Sequence, residues 1–278
     1  KIVTRNVVLG GHVLLRLPEC VMDELAKDRN LGVEERALYL LAWAHDPPTI
    51  AALAELANMN RNRAARACKV LAERGWMKLM KQRTHIRPAA LIPNSCQIVM
   101  AHELEDDYEL VPYKGEFLAR KRMDWYLVRD EYICNARPKF LTNPKTKKQF
   151  EYDTFDRKRR LATEYHGSQH YKETPEYKQE DVDTQQVNDL MKESLSARHG
   201  ITLLVFNYHD LRPGVLEKRL DEAVPHLRRG YVDMNGPYIK VLNRICDAYA
   251  AKVERAEKIA AQAAQKANTE EKRVAEQG

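Results

Sequence analysis

The chain is poor in paired cysteine, in long apolar runs and in strong excess charge. Its five cysteines, Cys20, Cys68, Cys96, Cys134 and Cys246, are scattered among 278 residues with no CxxC pair. That spacing supports neither a disulfide framework nor a thiolate zinc site, and it fits a reducing compartment. No apolar stretch reaches the length needed to cross a bilayer, and the opening KIVTRNVVLGGHV has no signal-peptide core. The expectation is a cytoplasmic protein with no membrane partner. Net charge is +6, an excess that permits polyanion binding without demanding it.

What is present is arranged in blocks. Positive clusters fall at 60–69, 120–122, 145–148 and 157–160, and the acidic stretch HELEDDYE (His102–Glu109) reads as a linker between them. Three segments follow: 1–105, 106–212 and 213–278.

In the first segment, VEERALYLLAWAH (33–45) and TIAALAELAN (49–58) carry apolar residues at helical spacing, with Thr49 as an N-cap. RNRAARACKVLAERG (61–75) is a third helix, with Ala64, Cys68 and Leu71 inward and Gly75 at its end. WMKLMKQ (76–82) and SCQIVMAH (95–102) read as strands around a loop holding Pro88 and Pro93. Three helices and a two-stranded wing resemble a winged helix-turn-helix domain. The resemblance implies DNA as partner, with the third helix in the major groove and Asn60, Arg61, Asn62, Arg63 and Arg66 nearest the bases. The plain alternative for these residues is a solvated helix face.

The second segment holds the candidate chemistry. Residues 113–132 read as a helix with Glu116 in its first turn, and 136–156 as two strands around a turn at 143–148. RRLATEYHG (159–167) is a further strand, 183–200 a helix, and ITLLVFNY (201–208) a strand apolar enough for burial on both faces. Asp153 at one strand end and Glu164 on the next would meet across a hairpin turning near 156–158. At about 4 Å two carboxylates repel by roughly 4 kcal/mol at an effective dielectric of about 20. A cation or a raised pKa must relieve that. Mg2+, with its preference for hard oxygen ligands and its ability to activate water, suits the pair. Asp156 is a rival ligand, and Lys145, Lys147, Lys148 and Arg157–Arg160 are loop charges that together could hold phosphates. A zinc hydrolase is disfavoured, because His166 and His170 stand four apart across a glycine rather than along a helix.

The blocks GEFLARKRMDWYL, FEYDTFDRKRRLATEYHGSQHY and QQVNDLMKESLSARHGITLLVFNY (114–208) resemble very-short-patch-repair-like nucleases and related homing and mobile-element endonucleases. These belong to the wider PD-(D/E)xK restriction-endonuclease-like fold. The resemblance implies an α/β fold: a mixed sheet flanked by helices, preceded by the winged helix and followed by a long C-terminal helix. It implies an endonuclease using Mg2+, with Mn2+ as a substitute, in a bacterial or phage-encoded setting. It implies Glu116 as the helix acid, Asp153 as principal metal ligand, Glu164 as the second, Gln169 orienting water or phosphate, His170 as general base or phosphate-polarising group, and Lys192 contacting phosphate or bracing the site. His166 stands where the wider fold has a catalytic lysine, and replaces it or points away. A DNA-binding regulator with an inactive nuclease-like domain is the alternative, and an enzyme acting on RNA or junctions a further one.

In the third segment, Tyr238, Leu242, Ile245, Tyr249, Val253, Ala256 and Ile259 alternate threes and fours, a coiled-coil-like seam. It serves either self-association, as a homodimer or with a partner protein, or packing back on the chain.

Overall fold

A computed structural model describes residues 4–9, 13–128, 132–167 and 179–277. The chain divides into two compact units, 1–132 with 219–242 and 133–218 with 243–278. The class is α/β: helices, a mixed four-stranded sheet, two small antiparallel pairs and a long C-terminal helix. Among the described residues, no helix is long and apolar enough to cross a membrane.

The first unit opens with a hairpin, β1 (Thr4–Leu9) against β2 (Val13–Pro18), then α1 (Glu19–Lys27). None of these three was expected from the sequence. Helices α2 (Val33–His45), α3 (Ile50–Leu56) and α4 (Arg61–Glu73) follow as read. Thr49 caps α3 by accepting the amide of Ala52, and Gly75 takes φ +76° beyond α4, a value only glycine adopts freely. Ala64, Ala67, Cys68 and Leu71 form the buried stripe of α4.

Strands β3 (Met77–Lys81) and β4 (Ile86–Ala90) then make an antiparallel pair. The second strand therefore lies nine residues earlier than expected, and Pro88 is inside it, opposite Leu79. A two-stranded sheet has only edges, so a strand there tolerates a residue without an amide proton. Residues 95–102, expected as that strand, instead begin α5 (Asn94–Leu110), and the acidic stretch read as a linker completes the same helix. Cys96, Met100, Ala101 and Leu104 recur at four-, one- and three-residue steps and are buried, whereas Ile98 and Val99, which made the run look strand-like, are exposed. Helix α6 (Lys114–Tyr126) starts four residues later.

The returning segment 219–242 belongs to this unit through specific bonds. Leu127 bridges Arg228, the Trp125 indole donates to the Asp233 carbonyl at 3.1 Å, and Asp46 accepts the amide of Gly230.

Asp28, just past α1, ties the helical bundle together. Its carboxylate accepts both Arg74 guanidinium nitrogens (2.9 and 3.2 Å), the indole N–H of buried Trp76 (3.0 Å) and the Asn30 amide (3.1 Å). Burial alone would raise its pKa, but these donors outweigh it and hold the carboxyl below the ordinary value of 3.8. A depressed folded pKa adds stability that is present above the unfolded value and lost as pH falls through the folded one. Asp28→Ala should cost about 1–3 kcal/mol at neutral pH, since it orphans the buried indole. The difference between wild type and variant should shrink in chemical denaturation below pH 4.

The second unit is built on the sheet β5 (Ile133–Ala136), β6 (Tyr152–Asp156), β7 (Leu161–Tyr165) and β8 (Thr202–Phe206), in that spatial order. The first three are antiparallel. β8 runs parallel to β7, reached through helix α7 (Gln179–Arg198). The two strands expected within 136–156 are only partly there. β5 ends at Ala136, and an Asn143-centred turn closed by a Thr142–Gln149 bridge intervenes before β6. β8 was expected to be buried on both faces. It lies at the sheet edge, where Thr202 is exposed and Leu204 and Phe206 are buried. The central strand β7 is the one buried throughout Leu161–Glu164.

Helix α8 (Val215–Ala223) and α9 (Pro237–Gln277) complete the chain. At 1.5 Å per residue α9 is about 60 Å long. Tyr238, Ile239, Leu242, Ile245, Cys246 and Ala250 are buried, so the first part of the seam packs within the chain, whereas Ile259 is exposed.

Candidate active site

β7 carries a glutamate in the middle of a sheet, where an unpaired carboxylate would be costly. Glu164 is 5 % exposed. Its position follows from the ladder: Thr154 pairs Thr163, Phe155 pairs Ala162, and one step onward sets Asp153 opposite Glu164. Alternation along each strand puts Asp153 on the face of Phe155 and Glu164 on that of Ala162. Phe155 and Ala162 belong to an apolar cluster against which Met191 and Leu195 of α7 pack. Both acids therefore share the face that α7 covers.

From α7 comes the counter-charge. Lys192 Nζ donates to Glu164 Oε2 and lies 4.0 Å from Asp189 Oδ1 and 3.5 Å from the Glu151 carbonyl. His166, at the end of β7, extends the ladder by donating its amide to Phe206 O at 2.7 Å. Its Nε2 is 3.5 Å from Glu164 Oε2 and 3.8 Å from Asp189 Oδ2. One ligand atom each from Glu164, His166 and Asp189 lie within 4.8 Å of one another. Glu164 Oε1 is buried without a hydrogen-bond partner among the described residues.

α7 is registered on the sheet by a second contact. Ser196, one turn after Lys192, donates to the Lys192 carbonyl (2.6 Å) and meets the Tyr152 hydroxyl at 2.5 Å.

Asp153 does not belong to the three-ligand group. Its Oδ2 accepts the Tyr165 amide at 2.7 Å, which ties β6 to β7 beside Glu164. The rival, Asp156, is fully buried, with Oδ1 accepting the Arg159 amide (2.9 Å) and Oδ2 facing the Arg159 guanidinium (3.5 Å). It organises the 157–160 turn. Glu116 belongs to the first unit, where it pairs with Arg120 one helical turn on. Gln169 and His170 lie outside the described residues.

Asp189 was not assigned a role from the sequence. The signal was present as D-x-x-K on a helix, a three-residue step that sets Asp189 and Lys192 on one side.

In the first unit, Asn60 caps α4 by accepting the Asn62 amide, and Arg63 forks onto Glu34 of α2. These two groups thus serve the fold. Arg61, Asn62 and Arg66 are exposed on α4. A cavity of about 760 Å3 also opens in this unit, lined by Trp43, Gln97, Lys121, Trp125, Arg229 and Tyr238 among others. Burial lowers the Lys121 amine pKa, against the nearby Asp124 and Asp107 carboxylates. The cavity contains none of the acids grouped around Glu164.

No protein-family model matches the chain, and comparison with curated proteins and with solved structures likewise finds no match.

Proposed function

We propose that the chain is a metal-dependent DNA endonuclease. On this reading the second unit is a restriction-endonuclease-like catalytic domain, and the helices α2–α4 with the β3–β4 pair form a winged helix that grips DNA. The observation that carries it is Glu164, buried on the central strand with one oxygen held by Lys192 and the other unpartnered.

The donor set fits a divalent cation. Glu164 and Asp189 offer carboxylates and His166 an imidazole, with Asp153 on the same face beside them. Two oxygen ligands suit Mg2+, and the added nitrogen favours Mn2+ at least as well. The ion, when bound, supplies charge relief at the phosphoryl oxygen and an acidified water. The chain's own residues do the rest. Lys192 holds the Glu164 side chain in place, and its ammonium is a donor for a phosphate oxygen. Asp153 fixes the strand end through Tyr165 and adds a carboxylate on the same face. Gln169 and His170, by resemblance, orient water and move its proton. The exposed Arg61, Asn62 and Arg66 would supply groove and phosphate contacts, weakening with salt.

A second reading has its own observation. Glu164 and Asp189 both already lie beside the Lys192 ammonium without any ion, as in an inactive domain kept for association.

Supercoiled plasmid incubated with the protein separates the two readings. The expected result is nicking or linearisation with Mn2+ or Mg2+ that stops on chelation. Matched single-stranded DNA and RNA should be poorer substrates. Retardation of DNA without cleavage under either metal would favour the regulator.

A further inference from the structure

Outside the carboxylate cluster, the first unit holds two thiols that face each other. Cys20 lies in the first turn of α1 and Cys96 in the first turn of α5, 76 positions apart in sequence. The contact is reciprocal: Cys20 Sγ points at the Cys96 carbonyl (3.8 Å) and Cys96 Sγ at the Cys20 carbonyl (3.5 Å). Cys20 is half-buried, so a small oxidant can reach it, whereas Cys96 is buried.

We propose that Cys20 and Cys96 form a redox modification site, closing an intramolecular disulfide between the first turns of α1 and α5 when the protein meets a hydroperoxide.

The two thiols have different parts. The Cys96 thiol donates to the Cys20 carbonyl, and its closeness does most to lower the Cys20 pKa. The amides of Val21 and Cys20 at the start of α1 add to it, against burial and the Glu103 carboxylate. The Cys20 thiol beside it, burial and Glu24 raise the Cys96 pKa. Cys20 is the nucleophile, since it is the thiol that an oxidant can reach and it lies in the first turn of α1, where a thiolate is favoured. Its sulfur attacks the peroxide O–O bond. The Cys20 thiolate becomes a sulfenic acid, and the leaving hydroxide takes up a proton to become water. Cys96 sulfur then attacks the sulfenic sulfur. The S–S bond forms, and the sulfenic hydroxyl leaves with the Cys96 proton as a second water. Two thiol hydrogens and one peroxide become a disulfide and two waters. This site is independent of the nuclease reading.

Cys134, exposed and in the other unit, is the internal control for unselective oxidation. The full chain is treated with low hydrogen peroxide, its remaining thiols are alkylated under denaturing conditions, and it is mapped by mass spectrometry. The expected result is a linked peptide pair containing Cys20 and Cys96, released by dithiothreitol. The oxidised chain should also melt about 5 °C or more higher, because the bond closes a long loop. In Cys96→Ser a cyclic dione probe should label Cys20. The proposal is overturned if Cys134 oxidises or cross-links chains while Cys20 and Cys96 remain alkylatable, or if Cys20 is oxidised in wild type without the linked pair.

Discussion

Lys192→Met should lower the stability of the second unit by about 3–5 kcal/mol, the largest effect expected of any single change here. The reason is local. Glu164 is 5 % exposed, its Oε2 is held by Lys192 Nζ, and its Oε1 has no hydrogen-bond partner among the described residues. Removing the ammonium leaves the buried carboxylate with only the His166 imidazole, 3.5 Å away, beside it. Glu164→Gln alone should cost less, because Lys192 keeps Asp189 at 4.0 Å and the Glu151 carbonyl at 3.5 Å. The double variant, which removes both charges, should regain much of the loss. Urea denaturation of the wild type, the two single variants and the double variant measures the coupling directly. If Lys192→Met is as stable as wild type, the pair does not hold the site. Adding Mn2+ to Lys192→Met should restore part of the stability, because an ion bound to Glu164 would take over the lost charge.

If the chain is the nuclease proposed above, Asp153→Asn should reduce cleavage by about 10²–10³-fold, the scale for removing one electrostatic group from an active site. Asparagine keeps an oxygen that can accept the Tyr165 amide, so the β6–β7 join survives and the loss reports on charge. Asp156→Asn makes the contrast. Asp156 faces Arg159 within its own turn, so that variant should lose stability while cleavage per folded molecule stays near wild type. Parallel plasmid assays with both purified variants, normalised to folded protein by circular dichroism, decide the matter. Equal cleavage by Asp153→Asn and wild type would remove Asp153 from the chemistry.

Helical spacing with clear caps was legible in the sequence: Thr49 caps α3, Gly75 follows α4, and α2, α4 and α7 lie within a few residues of where their apolar steps put them. The antiparallel hairpin of β6 and β7 was legible too, because the polar run at 156–160 marks a tight turn, but the gathering of Glu164 with His166 and Asp189, without Asp153, was not. What misled was local apolarity without long-range context. Ile98 and Val99 argued for a strand at 95–102, yet both are exposed and the buried stripe is carried by Cys96, Met100, Ala101 and Leu104. ITLLVFNY looked like an interior strand, but edge or centre depends on neighbours that a single strand does not encode. Asp189 was overlooked because its partners Glu164 and His166 are more than twenty positions away, and only the parallel crossover through α7 brings them to it.

The order in which the chain visits its two units bears on how it can be cut. It leaves the first at Tyr132, builds the second as an insertion, and returns for 219–242 before leaving again. An N-terminal fragment ending near residue 105 would lack the backbone that Asp46 and Trp125 bind, Gly230 and Asp233, and Trp125 itself. Such a fragment would expose surface that the whole protein covers. A faithful dissection would instead keep 219–242 on the same polypeptide as 1–132, so that both pieces of the host unit stay together.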